Sequence, residues 1–281
     1  MNNRNQLNGN NPQRKTSVLA RPEPWDLVSS GYAEVTQPMV AQYSSQALRL
    51  VDLKESDYVL DVACGPGTLA LLASPQVAKI QAIDFSINMV NLLAQNIQDQ
   101  NIDNIEYHQA SGEDLPFANE EFDLAASMFG LMFFADRVQG LRELHRTLKP
   151  GGTAMVSSWL PRHENTLFKL LMTTMMHVNP QMEEPPKISN PFEVPSNITA
   201  EFNEAGFNEV EIHQLTITTM VEDADVFWNQ MVIGNAPIAL MKLAMPTRDW
   251  KKLSKKAIAF LKKNLTLGEY ELHAWLAVAK K

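Results

Sequence analysis

The stretch VLDVACGPGTLA, residues 59–70, decides the fold class. It opens with an apolar run that holds one carboxylate, Asp61, and continues through Gly65-Pro66-Gly67 into a helical pattern. A glycine turn between a strand and a helix lets a ligand approach the backbone closely, and the start of the helix offers free N–H donors. The stretch therefore predicts the first strand of an α/β sheet with a ligand at its carboxyl end.

Short β-type runs alternate with helical patterns downstream of this turn. The runs typical of strands lie at 58–63, 79–84, 105–109, 122–127, 153–159, 210–217 and 270–279. Helices are predicted at about 37–53, from Gly67, from Ser86 as N-cap, and at about 136–148, 167–178, 197–205, 226–245 and 248–264. This alternation indicates βαβ units and a parallel sheet, and the alternating last run suits an antiparallel strand beside the one at 210–217.

The domain organisation follows from where this alternation stops and resumes. An Asn- and Gln-rich N-terminus predicts a disordered tail at 1–22, followed by one domain at 23–281. Within it we predict a core of residues 54–159, 198–221 and 269–281, and two insertions, 160–197 and 222–268. Connections in compact domains are usually about 4 to 6 residues long, and longer ones tend to be lids or binding elements. The insertions are therefore predicted to form a cap that selects a substrate.

Composition excludes several classes of protein. The chain of 281 residues has 24 Lys and Arg against 32 Asp and Glu, and its formal charge of -8 argues against a nucleic-acid partner. The single cysteine, Cys64, leaves no intramolecular disulfide and no four-cysteine zinc site, which favours a reducing, cytoplasmic setting. The longest largely apolar stretch, 124–135, is shorter than the roughly 20 residues that span a bilayer. No cluster of Asp, Glu and His predicts a metal site.

A second carboxylate narrows the choice of ligand. Asp84 ends the second strand, 19 residues after Gly65, where open α/β sheets place a carboxylate that accepts both hydroxyls of a ribose. Two ligand classes fit, a nicotinamide dinucleotide and S-adenosylmethionine. Asp61 beside the glycine turn would repel a pyrophosphate but would attract the ammonium and sulfonium of S-adenosylmethionine. These residues favour S-adenosylmethionine as the ligand. The alternative is a nicotinamide dinucleotide, which would make the protein an oxidoreductase.

Four motifs in this order carry a resemblance to a known family: VLDVACGPGT, the strand-ending Asp84, SGEDLPF at 111–117 and LKPGG at 148–152. Together they resemble the class I S-adenosylmethionine-dependent methyltransferases. Within that superfamily they are most similar to the small-molecule group that includes the menaquinone and ubiquinone biosynthesis enzymes. The resemblance implies a Rossmann-like sheet of seven strands, mostly parallel with an antiparallel last strand. It places the cofactor over the carboxyl ends of the first, second and fourth strands.

Site residues follow from the resemblance position by position. Asp61 and Gly65 are expected to border the methionine part, Asp84 to hold the ribose and Phe85 to flank the adenine. The family commonly has aspartate where this chain has Ser111. A segment at 25–53 should cover the cofactor, with Tyr32 and Tyr43 touching it. The complete predicted cofactor set is Tyr32, Asp61, Ala63, Gly65, Gly67, Asp84, Phe85, Met89, Ser111, Gly112, Glu113 and Met128.

The methyl acceptor is expected to be a small, apolar metabolite, methylated on oxygen, carbon or nitrogen. Eleven of the 14 methionines lie between Met128 and Met245, a distribution that fits either an adaptable apolar cavity or ordinary core packing. A non-methylating S-adenosylmethionine-binding protein is the other alternative. His163, just after the fifth strand, is the candidate general base, with His177 as the second choice. Phe133, Trp159, Met176 and Trp228 are predicted to line the acceptor pocket, and Phe129, Phe134 and Phe168 could line the same cavity.

Overall fold

The computed structural model describes residues 17–281. Its centre is a single sheet of seven strands in the order β3-β2-β1-β4-β5-β7-β6. The strands are β1 Tyr58–Val62, β2 Lys79–Asp84, β3 Ile105–Gln109, β4 Phe122–Ser127, β5 Leu148–Trp159, β6 Asn208–Val221 and β7 Gly268–Lys280. The first five pair in parallel, and β7 is inserted antiparallel between β5 and β6. The predicted fold class, including the antiparallel last strand, is confirmed.

Ten α-helices surround the sheet in the described residues. They are α1 Glu23–Gly31, α2 Gln37–Leu48, α3 Thr68–Ala73, α4 Ile87–Gln100, α5 Arg137–Thr147, α6 Thr166–Val178, α7 Pro195–Glu204, α8 Ala224–Gly234, α9 Ala236–Leu243 and α10 Thr247–Asn264. One π-helical turn, Tyr32–Thr36, joins α1 to α2. Ser86 caps α4 as predicted, because its hydroxyl accepts the N–H of Met89 at 3.2 Å.

The central strands form where the sequence is continuously apolar. Val59, Leu60 and Val62 of β1 are fully buried, as expected for a parallel strand covered by helices on both faces. β5 begins at Leu148, five residues before the predicted start, because the LKPGG segment already pairs with β4 across a register shift. The carboxyl ends of β1, β2 and β4 consequently lie side by side at one edge of the sheet.

Other predicted boundaries also differ in the structure: α2 ends at Leu48 and not at 53, and β6 and β7 are longer than the runs at 210–217 and 270–279. The single helix expected at 226–245 is interrupted at Asn235, whose side chain caps α9 by accepting the N–H of Ile238 at 3.3 Å. Pro237 explains the break, since a proline has no N–H to donate to the carbonyl four residues earlier and its ring clashes with that carbonyl, so it fits the first turn of a helix but not the interior. The tail predicted to be disordered over 1–22 is ordered from residue 17, with a helical turn at Val18–Ala20; residues 1–16 lie outside the described part.

The two insertions and the N-terminal helices pack together beside the sheet edge. Helices α8 and α9 rest on α1 and the π-helical turn so closely that a Cβ on Gly31 would lie 2.3 Å from the carbonyl oxygen of Ile233. Helix α10 packs on α6 and α8, with the rings of Trp228 and Trp250 stacked 6.0 Å apart. A continuous helical layer therefore runs from α1 to α10.

Candidate functional site

A pocket opens at the carboxyl ends of β1, β2 and β4. It brings together most of the residues predicted for the cofactor, and also Phe133. From the predicted sets it contains Tyr32, Ala63, Gly65, Asp84, Phe85, Met89, Ser111, Gly112, Glu113, Met128 and Phe133. The remaining walls are Ala20, Trp25, Ala110, Phe129, Gly130, Phe134 and Ala135.

Backbone conformation at the pocket floor is unusual for residues with a side chain. Ala63, directly after β1, has a φ of 56°, and Phe129, two residues after β4, has a φ of 59°. Left-handed conformations cost energy in residues other than glycine and cluster at functional sites. The Phe129 N–H donates to the hydroxyl of buried Ser157 at 2.9 Å, a contact that holds its turn in place. Both strained positions lie on adjacent strand ends and face the same pocket.

Asp84 is the carboxylate at the centre of the site. One of its oxygens accepts the N–H of Gly65 and the other accepts the N–H of Ser86, each at 2.9 Å. The side chain lines the pocket although the residue is only 5% exposed, and burial raises its pKa to about 6. Each carboxylate oxygen can accept more than one hydrogen bond. Asp84 thus ties the glycine loop to the start of α4 and retains acceptor capacity for a ligand.

Asp61 and Gly67 lie behind the pocket wall. Asp61 is 1% exposed and accepts the N–H of Ala70 at 3.1 Å, which fixes the first turn of α3. Burial raises its pKa to about 7. Gly67 has a φ of 87°, and a Cβ there would lie 2.2 Å from the Cδ1 of Leu93 on α4. Neither residue lines the pocket, so direct contact with a ligand, predicted for both, finds no support in this geometry.

The N-terminal segment covers one side of the pocket. Trp25 packs against Phe133 with ring centroids 4.9 Å apart, and its indole N–H donates to the Leu19 carbonyl at 2.9 Å. Tyr32 lines the pocket, and burial raises the pKa of its hydroxyl above its ordinary value. Tyr43 does not reach the pocket, because its hydroxyl donates to the Leu272 carbonyl of β7 at 2.8 Å.

Helix α1 is fastened over the pocket by Asp26. The Asp26 carboxylate accepts hydrogen bonds from the Ser86 hydroxyl and, at 3.1 Å, from the backbone N–H of Asn88. The backbone carbonyl of Asp26 accepts the side-chain amide of Asn88 at 3.2 Å. Because Ser86 also donates its N–H to Asp84, a short chain of hydrogen bonds connects the covering helix with the central carboxylate.

Of the predicted acceptor residues, only Phe133 lines the pocket. Trp159 lies behind the pocket wall and packs on Phe129, with ring centroids 4.2 Å apart. Trp228 is fully buried among the helices of the second insertion and donates its indole N–H to Ser254. Met176 on α6 is half-buried and is not part of the wall. An apolar residue in an insertion therefore need not face the ligand, because the insertion has a core of its own.

Neither candidate base lies at the pocket. The His163 side chain is 51% exposed and its nearest charged partner is Glu164, at 3.8 Å. His177 stacks on Phe260 of α10 with ring centroids 4.5 Å apart. Among residues 17–281 no three His, Cys, Asp or Glu side chains are grouped as metal ligands. In the same part of the chain, no helix combines the length and apolar character needed to cross a bilayer.

The sequence analysis missed Ala20, Trp25, Ala110, Gly130 and Ala135 as pocket residues. Gly130 and Ala110 carried a usable signal, since each comes within three residues of the carboxyl end of a strand at the ligand edge. Trp25 begins the covering segment and could also have been named. Ala20 carried none, because it was assigned to the tail.

The residues of the pocket fit S-adenosylmethionine better than a dinucleotide. Two acidic side chains, Asp84 and Glu113, belong to the wall, and no lysine or arginine does among the described residues. A pyrophosphate is normally met by cations or by exposed N–H groups without nearby acids. A ribose, an apolar-walled adenine and a cationic sulfonium match a pocket with buried carboxylate and aromatic groups.

Comparison with known proteins agrees with this assignment. A methyltransferase domain is matched over residues 59–152. The chain is 29% identical over 191 residues to a demethylmenaquinone methyltransferase of Chlorobaculum parvum, an alignment covering 63% of this chain and 77% of that protein. It is 37% identical over 114 residues to a ubiquinone/menaquinone biosynthesis C-methyltransferase of Geotalea daltonii, covering 39% of this chain but only 48% of the relative.

The fold is also found in a solved structure. A putative methyltransferase from Bacillus halodurans superimposes with a TM-score of 0.59 at 21% identity, covering 85% of this chain and 98% of the other. At this identity the likeness concerns the fold alone. The sheet order, the carboxylate at the end of β2 and the methyltransferase domain matched over residues 59–152 make the chain similar to the class I S-adenosylmethionine-dependent methyltransferases.

Proposed function

We propose that the protein transfers a methyl group from S-adenosylmethionine to a carbon, oxygen or nitrogen of a small, apolar acceptor. The observation that carries the proposal is Asp84, a buried carboxylate that is bonded to the glycine loop and still faces an apolar pocket. The similar proteins named above carry demethylmenaquinone or ubiquinone/menaquinone in their names, compounds with an apolar ring system, which supports an apolar acceptor.

Individual roles in cofactor binding follow from the contacts. Asp84 accepts the ribose hydroxyls with the lone pairs left free by Gly65 and Ser86. Phe85 and Met89 flank the adenine from one side. Ser111 contributes its backbone, because its hydroxyl is turned into its own loop, where it accepts the N–H of Glu113 at 3.2 Å. Glu113 in turn uses its carboxylate to accept the N–H of Asp136. The serine in place of the family's aspartate therefore supports the turn instead of bonding the adenine.

Catalysis relies mainly on positioning. The sulfonium of the bound cofactor supplies an activated methyl group, so the chain has to hold an acceptor in line and exclude water. Phe129 lines the pocket and also belongs to an aromatic cluster with Tyr43, Trp159 and Phe168. The centroids of neighbouring rings in this cluster are 4.2 to 5.6 Å apart. We place the acceptor against this wall, with the two insertions as the cap that selects it.

Release of S-adenosylhomocysteine tests the proposal. The purified protein is incubated with S-adenosylmethionine and apolar ring compounds, including quinols, and S-adenosylhomocysteine is quantified with and without acceptor. Acceptor-dependent release supports methyl transfer. Tight S-adenosylmethionine binding without release from any acceptor favours the non-methylating alternative. Calorimetric binding of NADH in preference to S-adenosylmethionine would establish the oxidoreductase.

His163 is tested by replacement with glutamine. If His163 were the general base, its replacement would lower turnover by roughly 100 to 10,000-fold while cofactor binding stays intact. Because the side chain is half exposed and lies outside the pocket wall, we expect a loss of less than threefold. Steady-state turnover and calorimetric affinity are measured together. A hundredfold loss of turnover at unchanged affinity would restore His163 as the base.

Asp26 is expected to control how long the cofactor product stays bound. Asp26→Ala removes the hydrogen bonds to Ser86 and Asn88 that hold α1 over the pocket, and bonds to a charged group contribute about 1.5 to 3 kcal/mol. We expect S-adenosylhomocysteine to dissociate roughly ten times faster. Stopped-flow displacement measures the rate, with Asp52→Ala, an exposed carboxylate outside this contact, as the matched control. Equal rates in the two variants would show that α1 does not limit release.

We place the protein in the cytoplasm. The single cysteine supports this, since burial raises the pKa of the Cys64 thiol and so suppresses the reactive thiolate, and disulfides are rare in reducing compartments.

A further inference from the structure

Helix α10 concentrates positive charge on one face of an acidic protein. Seven of its residues are cationic and one, Asp249, is acidic, so the helix carries +6 while the rest of the chain carries -14. Successive residues of a helix are about 100° apart, which places all seven cations within one arc of about 140°. They are Arg248, Lys251, Lys252, Lys255, Lys256, Lys262 and Lys263; we call this set the basic face.

The basic face is turned toward solvent and is largely without acidic partners. All its members are exposed, whereas Trp250, Leu253, Ala257 and Leu261 on the opposite side of the helix are buried against the cap. Within residues 17–281 only Lys262 of this set forms an ion pair, with Asp225 at 2.6 Å. Clustered like charges repel each other, and nothing in the described fold uses this arrangement.

Apolar side chains flank the basic face at both ends of the helix. Leu243, four residues before α10, is 70% exposed, and Leu267, three residues after it, is 58% exposed. Between them Arg248, Lys251, Lys252 and Lys255 border a shallow depression that also includes Trp250 and Ile258. A cluster of cations with exposed apolar groups beside it is typical of surfaces that bind anionic lipid headgroups.

We propose that the basic face of α10 docks the protein on an anionic lipid bilayer. Charge complementarity selects this partner and this orientation, because an anionic surface attracts α10 and repels the remaining acidic surface. The overall charge of -8 does not reveal this uneven distribution. Nucleic acid fits less well. Trp250, the aromatic residue at the depression, is only 8% exposed and offers little ring face for base stacking, and the flanking leucines have no role on a phosphate backbone.

Docking would bring the cap to the bilayer. Helix α10 packs on α8, and α8 packs on α1 and the π-helical turn that cover the pocket. The same helical layer therefore contacts the lipid on its outer side and the covering segment on its inner side. This binding does not depend on which acceptor is methylated, or on whether methylation occurs.

Vesicle co-sedimentation of the full-length protein tests the proposal. The protein is mixed with vesicles of phosphatidylcholine alone, or with about one third phosphatidylglycerol, and we expect binding only to the anionic vesicles. Binding should be lost as salt rises from about 50 to about 500 mM, because exposed charges are then screened. Equal binding to both vesicle types, or none to either, would overturn the proposal.

Charge variants locate the docking surface. Each lysine near an anionic surface contributes roughly a fivefold factor in affinity, so K251Q/K252Q/K255Q should bind anionic vesicles about a hundredfold more weakly. The matched control K54Q/R142Q/K280Q removes three exposed cations elsewhere and should bind like the unmodified protein. Leu243→Ser should weaken binding by about three- to tenfold. Unchanged affinity for S-adenosylmethionine verifies that each variant is folded.

The competing partner is tested in parallel with fluorescein-labelled duplex DNA and single-stranded RNA at the same ionic strength. Weaker binding to both than to anionic vesicles supports the lipid assignment. Tighter binding to either, or equal vesicle binding by the two triple variants, would contradict it.

Discussion

Asp84→Ala is expected to weaken S-adenosylmethionine binding by about a hundredfold or more. Two hydrogen bonds from ribose hydroxyls to a charged acceptor contribute about 1.5 to 3 kcal/mol each. The substitution also leaves the N–H groups of Gly65 and Ser86 without their acceptor, which loosens the loop that forms the pocket floor. Isothermal calorimetry with S-adenosylmethionine measures the effect.

Two further variants distinguish a binding role from a structural one. Asp84→Asn keeps the size of the side chain but loses the charge and one acceptor, so we expect an intermediate loss of affinity. Asp123→Ala is the matched control. Asp123 also accepts a backbone N–H, that of Tyr58, but at the opposite edge of the sheet. It should change stability and leave affinity unchanged. An Asp84→Ala protein that is folded and binds normally would remove Asp84 from the site.

Cofactor affinity is expected to fall about tenfold between pH 8 and pH 5. Burial raises the pKa of Asp84, which lines the pocket, to about 6 in the ligand-free protein, and that of Asp61, which lies behind the wall, to about 7. The ribose donors contact Asp84 and favour its ionised form, so binding must displace its proton once the pH falls below about 6. One pH unit below such a pKa costs up to tenfold in affinity. Calorimetry across this range would contradict the prediction if affinity stayed constant.

The stability of the ligand-free protein should respond to these two groups in the opposite direction. Their folded-state pKa values lie above the ordinary value of 3.8, so their contribution to the free energy of unfolding is complete below about pH 4. It is lost as pH rises through 6 and 7. Asp61→Asn removes one titration and should be more stable than the unmodified protein at pH 8, with the difference shrinking as the pH falls and vanishing below about pH 4. Denaturant unfolding measures both proteins, and a constant difference would exclude Asp61 as the titrating group.

The central strands could be predicted because the local sequence shows their short β-type runs. The runs at 79–84, 105–109 and 122–127 match the structure residue for residue, since each strand of a parallel sheet is bounded by turn-forming residues. The helix break at Asn235 was missed although Pro237 signalled it. The apolar pattern over residues 226–245 favoured a single helix despite the proline. The reason for two short helices is visible only in the packing of α9 against α1.

The ligand side of the pocket was more predictable than the acceptor side. Asp84, Phe85 and Ser111 follow strand ends, and the parallel arrangement alone brings strand ends to one edge. Trp25 meets Phe133 across more than a hundred residues of sequence, a contact that no local pattern contains. Trp228 and Trp159 have similar apolar surroundings in the sequence. Yet one fills the core of the cap and the other adjoins the pocket through Phe129.

The position of β7 between β5 and β6 sets the order in which the sheet can be completed during translation. Among residues 17–281, β6 pairs only with β7, so when residues 208–221 leave the ribosome they have no partner strand until residues 268–280 have followed. Tyr43 and Asn165 also lack their hydrogen-bond partners until β7 is made, because these partners are Leu272 and His273. The nascent chain therefore carries two unpaired strand edges through the synthesis of the whole second insertion. Chaperone protection matters most in that interval, when another chain could pair with those edges.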